Sequence, residues 1–171
     1  MRVAMIGTGY VGLVSGACFS EFGTDVVCVD RDAGKIERLL EGIMPIYEPG
    51  LDALVAKNVA AGRLSFTTDL AAAVKGADAV FIAVGTPTTE GDGHAEVHRI
   101  VSGIIAGDKF DVASNPEFLR EGSAIEDFMR PDRVVIGTDA EKASEVLRQL
   151  YRPLFLMETP ILYTKIETSE L

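Results

Sequence analysis

Arg2-Val3-Ala4-Met5-Ile6, then Gly7-Thr8-Gly9-Tyr10-Val11-Gly12, then an apolar helical pattern to about Phe22, then Asp25-Val26-Val27-Cys28-Val29-Asp30: this opening decides the fold. It reads as strand, glycine turn, helix, strand and terminal carboxylate. Gly7 permits a tight turn off the first strand, and Gly9 leaves the backbone open to a pyrophosphate. Gly12 lets the helix pack close against the strand. The amides and positive dipole end of the helix that starts near Tyr10 and Val11 favour phosphate oxygens.

Asp30 stands about 20 residues beyond the turn, where a carboxylate accepts hydrogen bonds from ribose hydroxyls and repels a 2′-phosphate. NAD is therefore favoured over NADP. Arg31 argues the other way, because an arginine beside that carboxylate can accommodate a 2′-phosphate. Lys35 lies within the next helical turns, close enough to lean over an adenosine ribose; from spacing alone a solvated surface lysine is an equal alternative.

The chain of 171 residues suits one well-packed domain, with room for the start of a second. With 47% hydrophobic and 25% charged residues it has the composition of a soluble globular protein. No apolar run approaches the roughly 20 residues of a membrane span. Without a basic region and cleavage site at the start, no secretory signal is expected, and the cytoplasm is the default location. A net charge of -10 argues against nucleic acid as a partner, since neutralising phosphates needs a basic face. Cys18 and Cys28 fall at apolar positions and read as small core residues rather than a disulfide or a nucleophile. His94 and His98 are four apart, yet no third ligand is nearby, so a solvated face is expected and no metal.

Downstream, the pattern predicts a helix over residues 32 to 42 with Ile36, Leu39 and Leu40 buried and Gly42 at its end. A turn at residues 46 to 51 starts a helix to about Ala61, with Leu51, Leu54, Val55 and Val59 as its apolar set. Residues 63 to 67 read as a strand, and Thr68 or Asp69 caps a short helix over 70 to 75. Residues 77 to 84 form an apolar run typical of a strand buried on both faces. It ends at Gly85-Thr86-Pro87, which lines the nicotinamide half of a cofactor site if the sheet is doubly wound. Residues 88 to 95 are loop by composition, 96 to 105 a short helix and 109 to 113 a strand. A strand over 133 to 137, a helix over 140 to 151, a strand over 161 to 163 and the opening of another helix at 167 to 171 complete the chain. Strands alternating with helices predict an α/β fold, a doubly wound, mostly parallel Rossmann-type sheet with helices on both faces.

The glycine turn, Tyr47-Glu48-Pro49-Gly50-Leu51, Val84-Gly85-Thr86-Pro87, Asn115-Pro116-Glu117-Phe118-Leu119-Arg120-Glu121-Gly122-Ser123-Ala124 and Pro131-Asp132-Arg133-Val134-Val135-Ile136-Gly137 together resemble the nucleotide-sugar 6-dehydrogenases. The Glu121-Gly122-Ser123-Ala124 ending is more similar to members acting on UDP-glucose than to those acting on GDP-mannose. The resemblance implies oxidation of the sugar C6 alcohol to the acid, UDP-glucose to UDP-glucuronate, with two NAD, through a cysteine thiohemiacetal and thioester. GDP-mannose or an N-acetylated UDP-sugar is the alternative substrate, and a non-catalytic NAD-binding module the alternative role. By this resemblance Val11, Asp30, Lys35 and Thr86 contact NAD, and Glu121 lies near the nicotinamide. Glu117 assists the water that hydrolyses the thioester, a role that suits a carboxylate raised toward neutrality by partial burial. Phe118, Leu119 and Arg120, with Glu117, belong to the substrate wall. By composition alone Glu117 and Glu121 would be exposed helix-start carboxylates.

Two departures from the family accompany the likeness. Between Ala95 and Glu96 the family carries a helix, another parallel strand and a loop, about 30 residues for one βαβ unit. Here a loop leads straight into the next helix, so a segment is expected to be missing at that junction. The family's lysine, asparagine and nucleophilic cysteine, its central helix and its second domain all fall beyond Leu171. The chain as written is thus expected to be the N-terminal dinucleotide-binding domain, inactive alone, and its parent protein a homodimer.

Overall fold

In the computed structural model, residues 1–84 and 110–170 are described. Strand β1 (Arg2–Ile6), helix α1 (Tyr10–Glu21) and strand β2 (Asp25–Val29) form the predicted opening unit. Helices α2 (Ala33–Leu40) and α3 (Leu51–Ala60) lead to β3 (Leu64–Thr67), α4 (Leu70–Val74) and β4 (Ala79–Ile82). These four strands make one parallel sheet in the order β3-β2-β1-β4. Met5 lies opposite Cys28 on one side and Phe81 on the other. The order places β1 in the interior, so both its faces must be covered, and Val3, Ala4 and Met5 are buried.

Helix α1 is the main cover. It is apolar almost all round, and nine of its residues, from Gly12 to Ser20, are buried. Its Phe19 ring meets Phe81 of β4 at 5.2 Å, Phe128 at 4.9 Å edge-on and Tyr151 at 5.3 Å between centroids. Phe128 lies on α5 (Ala124–Met129), and Tyr151 follows α6 (Glu141–Leu150). One aromatic cluster therefore ties the first 84 residues to the chain after 110. Each such ring contributes about 1.5–3 kcal/mol by burial.

Strands β5 (Val134–Gly137) and β6 (Ile161–Thr164) pair in parallel as a second sheet, flanked by α7 (Arg152–Phe155) and α8 (Ile166–Ser169). A β-carbon on Gly137 would lie 2.1 Å from Ser169 Oγ and 2.9 Å from the Lys165 carbonyl, so α8 seats only on a glycine.

Several expectations change. β4 is half-buried throughout rather than buried on both faces, because it pairs with β1 alone among the described strands. Leu40 is 65% exposed. Helix α2 meets the sheet along Ile36 and Leu39, and the next residue lies about 100° further round. In α3 the buried place expected for Val59 goes to Asn58, while Val59 is exposed. Asn58 is satisfied there: its amide donates to Glu21 and the Leu54 carbonyl at 2.9 Å, and its oxygen accepts from Arg63 at 2.7 Å. Residues 110 to 113 form no strand; only Ser114 bridges, antiparallel, to Gly137. Of the two candidate caps for α4 it is Asp69 that accepts from the Ala72 amide, at 2.9 Å. Gly85, Thr86, His94, His98, the loop over 88 to 95, the helix over 96 to 105 and the Ala95–Glu96 junction lie outside the described residues.

Candidate functional site

The glycine turn sits at the C-terminal end of β1, and each glycine has its own geometry. Gly7 adopts φ +102°, where a β-carbon would also fall 2.7 Å from the Ala83 carbonyl. Its N–H donates to the Val29 carbonyl at 2.7 Å, tying the turn to the end of β2. A β-carbon on Gly12 would lie 2.1 Å from the Gly7 carbonyl, so only glycine lets α1 come this close. Around Gly9, in contrast, no described residue lies within 4 Å of that position. Gly9 is also the N-cap of α1 and offers no side chain, so no side-chain cap competes for the first amides of the helix.

Asp30 closes the other side. Its Oδ2 accepts from the Thr8 amide at 3.0 Å, the Thr8 hydroxyl at 2.7 Å and Lys35 Nζ at 3.0 Å, while Oδ1 accepts from the Asp32 amide at 3.1 Å. Partial burial alone would raise its pKa. The Thr8 hydroxyl, the Asp32 amide, Lys35 and the Thr8 amide outweigh that and hold it far below the ordinary range. The carboxylate therefore stays ionised, and Oδ1 retains acceptor capacity. Lys35 sits directly on Asp30, helped by Asp32, which caps α2 by accepting from the Lys35 amide at 3.1 Å. Arg31 projects into solvent beside them. Tyr10 and Val11 occupy the first turn of α1.

The segment over residues 114 to 124 meets the start of α1, where the Tyr10 hydroxyl donates to the Arg120 carbonyl at 3.3 Å. Its start is pinned to β5: the Asn115 amide donates to the Val135 carbonyl at 2.8 Å, and Tyr151 donates to Asn115 Oδ1 at 2.6 Å. Its end is pinned by Glu48, whose Oε2 accepts from the Tyr10 hydroxyl at 2.5 Å and the Gly122 amide at 2.8 Å and whose Oε1 accepts from the Ala124 amide at 2.9 Å. Glu48 is 5% exposed. Burial raises its pKa, but the Tyr10 hydroxyl and the amides of Gly122, Ala124 and Ile125 together bring it below the usual value. The same burial, with Glu48 alongside, pushes Tyr10 up to about 12, so the phenol remains a donor.

Between these pins the expected wall residues are turned outward. Glu117 is exposed and, among the described residues, accepts only from the Leu119 amide within its own loop, at 2.7 Å; no described residue supplies the partial burial expected for it. Phe118 is 60% exposed, Leu119 is half-buried, and Glu121 is exposed. The Arg120 guanidinium is committed to Asp127, at 2.6 Å from Nη2 and 3.1 Å from Nε.

The sequence model described as "UDP-glucose/GDP-mannose dehydrogenase family, NAD binding domain" matches residues 1–105 and 97–155. The chain belongs to the UDP-glucose/GDP-mannose dehydrogenase family. The UDP-glucose 6-dehydrogenase of Rhizobium meliloti is 51% identical over 207 positions, which take in 100% of this chain and 47% of that protein. A UDP-glucose 6-dehydrogenase of Bacillus subtilis is 42% identical, over 99% of this chain and 44% of that protein. Among solved structures, a UDP-glucose dehydrogenase from Pyrobaculum islandicum superposes with a TM-score of 0.88 at 37% identity, over 99% of this chain and 47% of that one. A ternary complex of GDP-mannose dehydrogenase from Pseudomonas aeruginosa gives a TM-score of 0.86 at 35% identity, over 99% and 48%. The chain thus spans about half the length of the curated relatives it matches, and what it spans is a Rossmann-type cofactor domain.

For this dehydrogenase family NAD is the cofactor, and the residues present fit it: an uncapped helix start for phosphates, open space at Gly9 and an ionised carboxylate at the end of β2. Among the described residues no three His, Cys, Asp or Glu side chains gather into a metal site, and no helix is long and apolar enough to cross a membrane. Cys18 and Cys28 are both free and buried, with burial pushing each thiol up to about 12.

Sequence reasoning did not find Thr8, Asp127 or the role of Glu48. Thr8 and Asp127 give no periodic or spacing signal, since only the fold brings Thr8 to Asp30, 22 residues further on, and Asp127 to Arg120, 7 residues earlier. Glu48 carried a signal in the Tyr47-Glu48-Pro49-Gly50 motif, which reads locally as a turn.

Proposed function

We propose that this chain is the cofactor half of an NAD-dependent UDP-glucose 6-dehydrogenase, an enzyme that oxidises UDP-glucose to UDP-glucuronate in two steps. The observation that carries the reading is 51% identity to such an enzyme over the whole chain. NAD supplies the hydride acceptor. Gly7, Gly9, Tyr10, Val11 and Gly12 present backbone to its phosphates, and Asp30 with Arg31 and Lys35 takes the adenosine ribose; Gly85, Thr86 and Glu121 belong to the nicotinamide side.

Glu117, Phe118, Leu119 and Arg120 form one wall for the sugar. Glu117 takes a proton from the water that adds to the acyl carbon, and the leaving thiolate belongs to a residue outside this chain. Such a base works best when shielded from bulk water, so the wall is completed by something other than the described residues. The alignment of 207 positions against 171 residues leaves 36 positions of the R. meliloti relative without a counterpart, which supports a segment missing between Ala95 and Glu96.

The test is made on the full-length protein with NAD and three sugars: UDP-glucose, GDP-mannose and UDP-N-acetylmannosamine. Formation of two reduced nicotinamides per UDP-glucose, with the other sugars much slower, is expected. Preference for GDP-mannose, in keeping with the P. aeruginosa likeness, would reassign the substrate. NAD binding without turnover of any sugar would leave a cofactor module alone.

A further inference from the structure

We propose that Glu48 is a positioning residue that couples cofactor binding to the seat of residues 120 to 125, through the Tyr10 hydroxyl. The inference builds on the cofactor reading above and goes beyond it. Tyr10 is the first residue of α1, the helix whose start is assigned above to the cofactor phosphates. Its hydroxyl reaches Glu48 Oε2 at 2.5 Å and also the Arg120 carbonyl at 3.3 Å. The same carboxylate holds the Gly122 and Ala124 amides, 74 and 76 residues away in sequence. One buried anion therefore joins three pieces of chain that no strand pairing among the described residues connects: the start of α1, the turn before α3 and the loop that leads into α5.

The chemistry suits a rigid link rather than a titrating one. A buried carboxylate is stable only while its lone pairs are occupied, and every donor here is fixed. Gly122 adopts φ +88°, the conformation that aims its N–H at Glu48, and Gly50 at φ +80° turns the chain from Glu48 into α3. Glu48 is thus held from its own side by a turn and from the far side by two amides. Movement of Tyr10 on cofactor binding is passed to Gly122 and Ala124, immediately beyond the residues assigned to the substrate wall. By linkage, ordering of that segment by the sugar raises the affinity for NAD by the same factor.

Deuterium exchange on the full-length protein tests this, with peptides covering residues 120 to 125 followed with and without NAD and with no sugar present. In the unaltered protein NAD is expected to slow exchange there. In Tyr10→Phe, which keeps the ring and the backbone and deletes only the hydroxyl, NAD at a concentration shown by calorimetric titration to saturate the variant should no longer slow that exchange. In Glu48→Gln exchange should be faster even without NAD, and kcat/KM for UDP-glucose should fall about tenfold or more, in line with loss of a charge-assisted hydrogen bond. Glu48→Asp should recover less than half of that fall on a logarithmic scale, because the shorter side chain cannot span both amides and the phenol.

NAD binding that leaves the 120 to 125 amides unchanged in the unaltered protein overturns the proposal, as does protection that survives in both Tyr10→Phe and Glu48→Gln. Should Glu48→Gln fail to fold, the Tyr10→Phe comparison decides alone. Coupled protection in a protein that turns over no UDP-glucose would instead reject the functional reading and leave the coupling standing.

Discussion

At the scale of single residues, the glycines separate structure from binding. Gly9→Ala adds a methyl group to open space at an allowed φ of -75°, so the melting temperature should hold while NAD affinity falls about tenfold or more, readable by calorimetric titration. Gly12→Ala drives a β-carbon into the Gly7 carbonyl and should cost about 2–3 kcal/mol in a denaturant melt. Equal losses of stability in the two variants would contradict this division. The acid limb of stability has a readable sign as well. Asp127 is lowered to about 2, first by the hydrogen bond from Arg120, against burial that opposes it. Its contribution is complete above its unfolded pKa of about 3.9 and is lost as pH falls toward 2. Asp127→Asn should therefore flatten the decline in stability over that window, an outcome followed by circular dichroism. Asp30, also held low, behaves in the same direction, its contribution falling as pH drops below the unfolded pKa. Glu117→Gln should lower kcat of the full-length enzyme about 100-fold, with NAD affinity unchanged.

At the scale of elements, α1 unites cover and cofactor cradle. A helix apolar on every side can exist only where every side is packed, here against β1, β2, α3 and α5. The two thiols show the consequence: Cys18 on α1 and Cys28 facing it from β2 are both buried, and a β-carbon on Gly16 would lie 2.7 Å from Cys28 Sγ. Mass-mapped alkylation should leave both cysteines unmodified in the native protein and label them at the rate of unfolding. Labelling of either in native buffer would mean that α1 separates from the sheet. The helical pattern, the caps and the strand–turn–helix order were legible in the sequence because they depend on neighbours within a few positions. Leu40, Val59 and the half-buried β4 were not, since which side of an element is covered depends on what the fold places beside it.

At the scale of the whole molecule, the aromatic cluster around Phe19 determines whether the chain behaves as one unit. Phe19→Ala should cost about 3–5 kcal/mol, and the melts of the first sheet and of the β5–β6 sheet should stay coincident in the unaltered protein. Separate transitions would show that the two sheets are held together by less than this cluster. The sequence by itself determined the α/β class, the parallel opening unit, the acid at the end of β2 and the family, because glycine, periodicity and motif order are properties of local chain and of ancestry. Only the tertiary structure decided that Thr8 and Lys35 hold Asp30 ionised, that Arg120 is spent on Asp127 and that Glu48 binds the loop before α5 to the start of α1. Those contacts join residues separated by up to 76 positions, and a hydrogen bond is set by distance in space, on which separation along the chain carries no information.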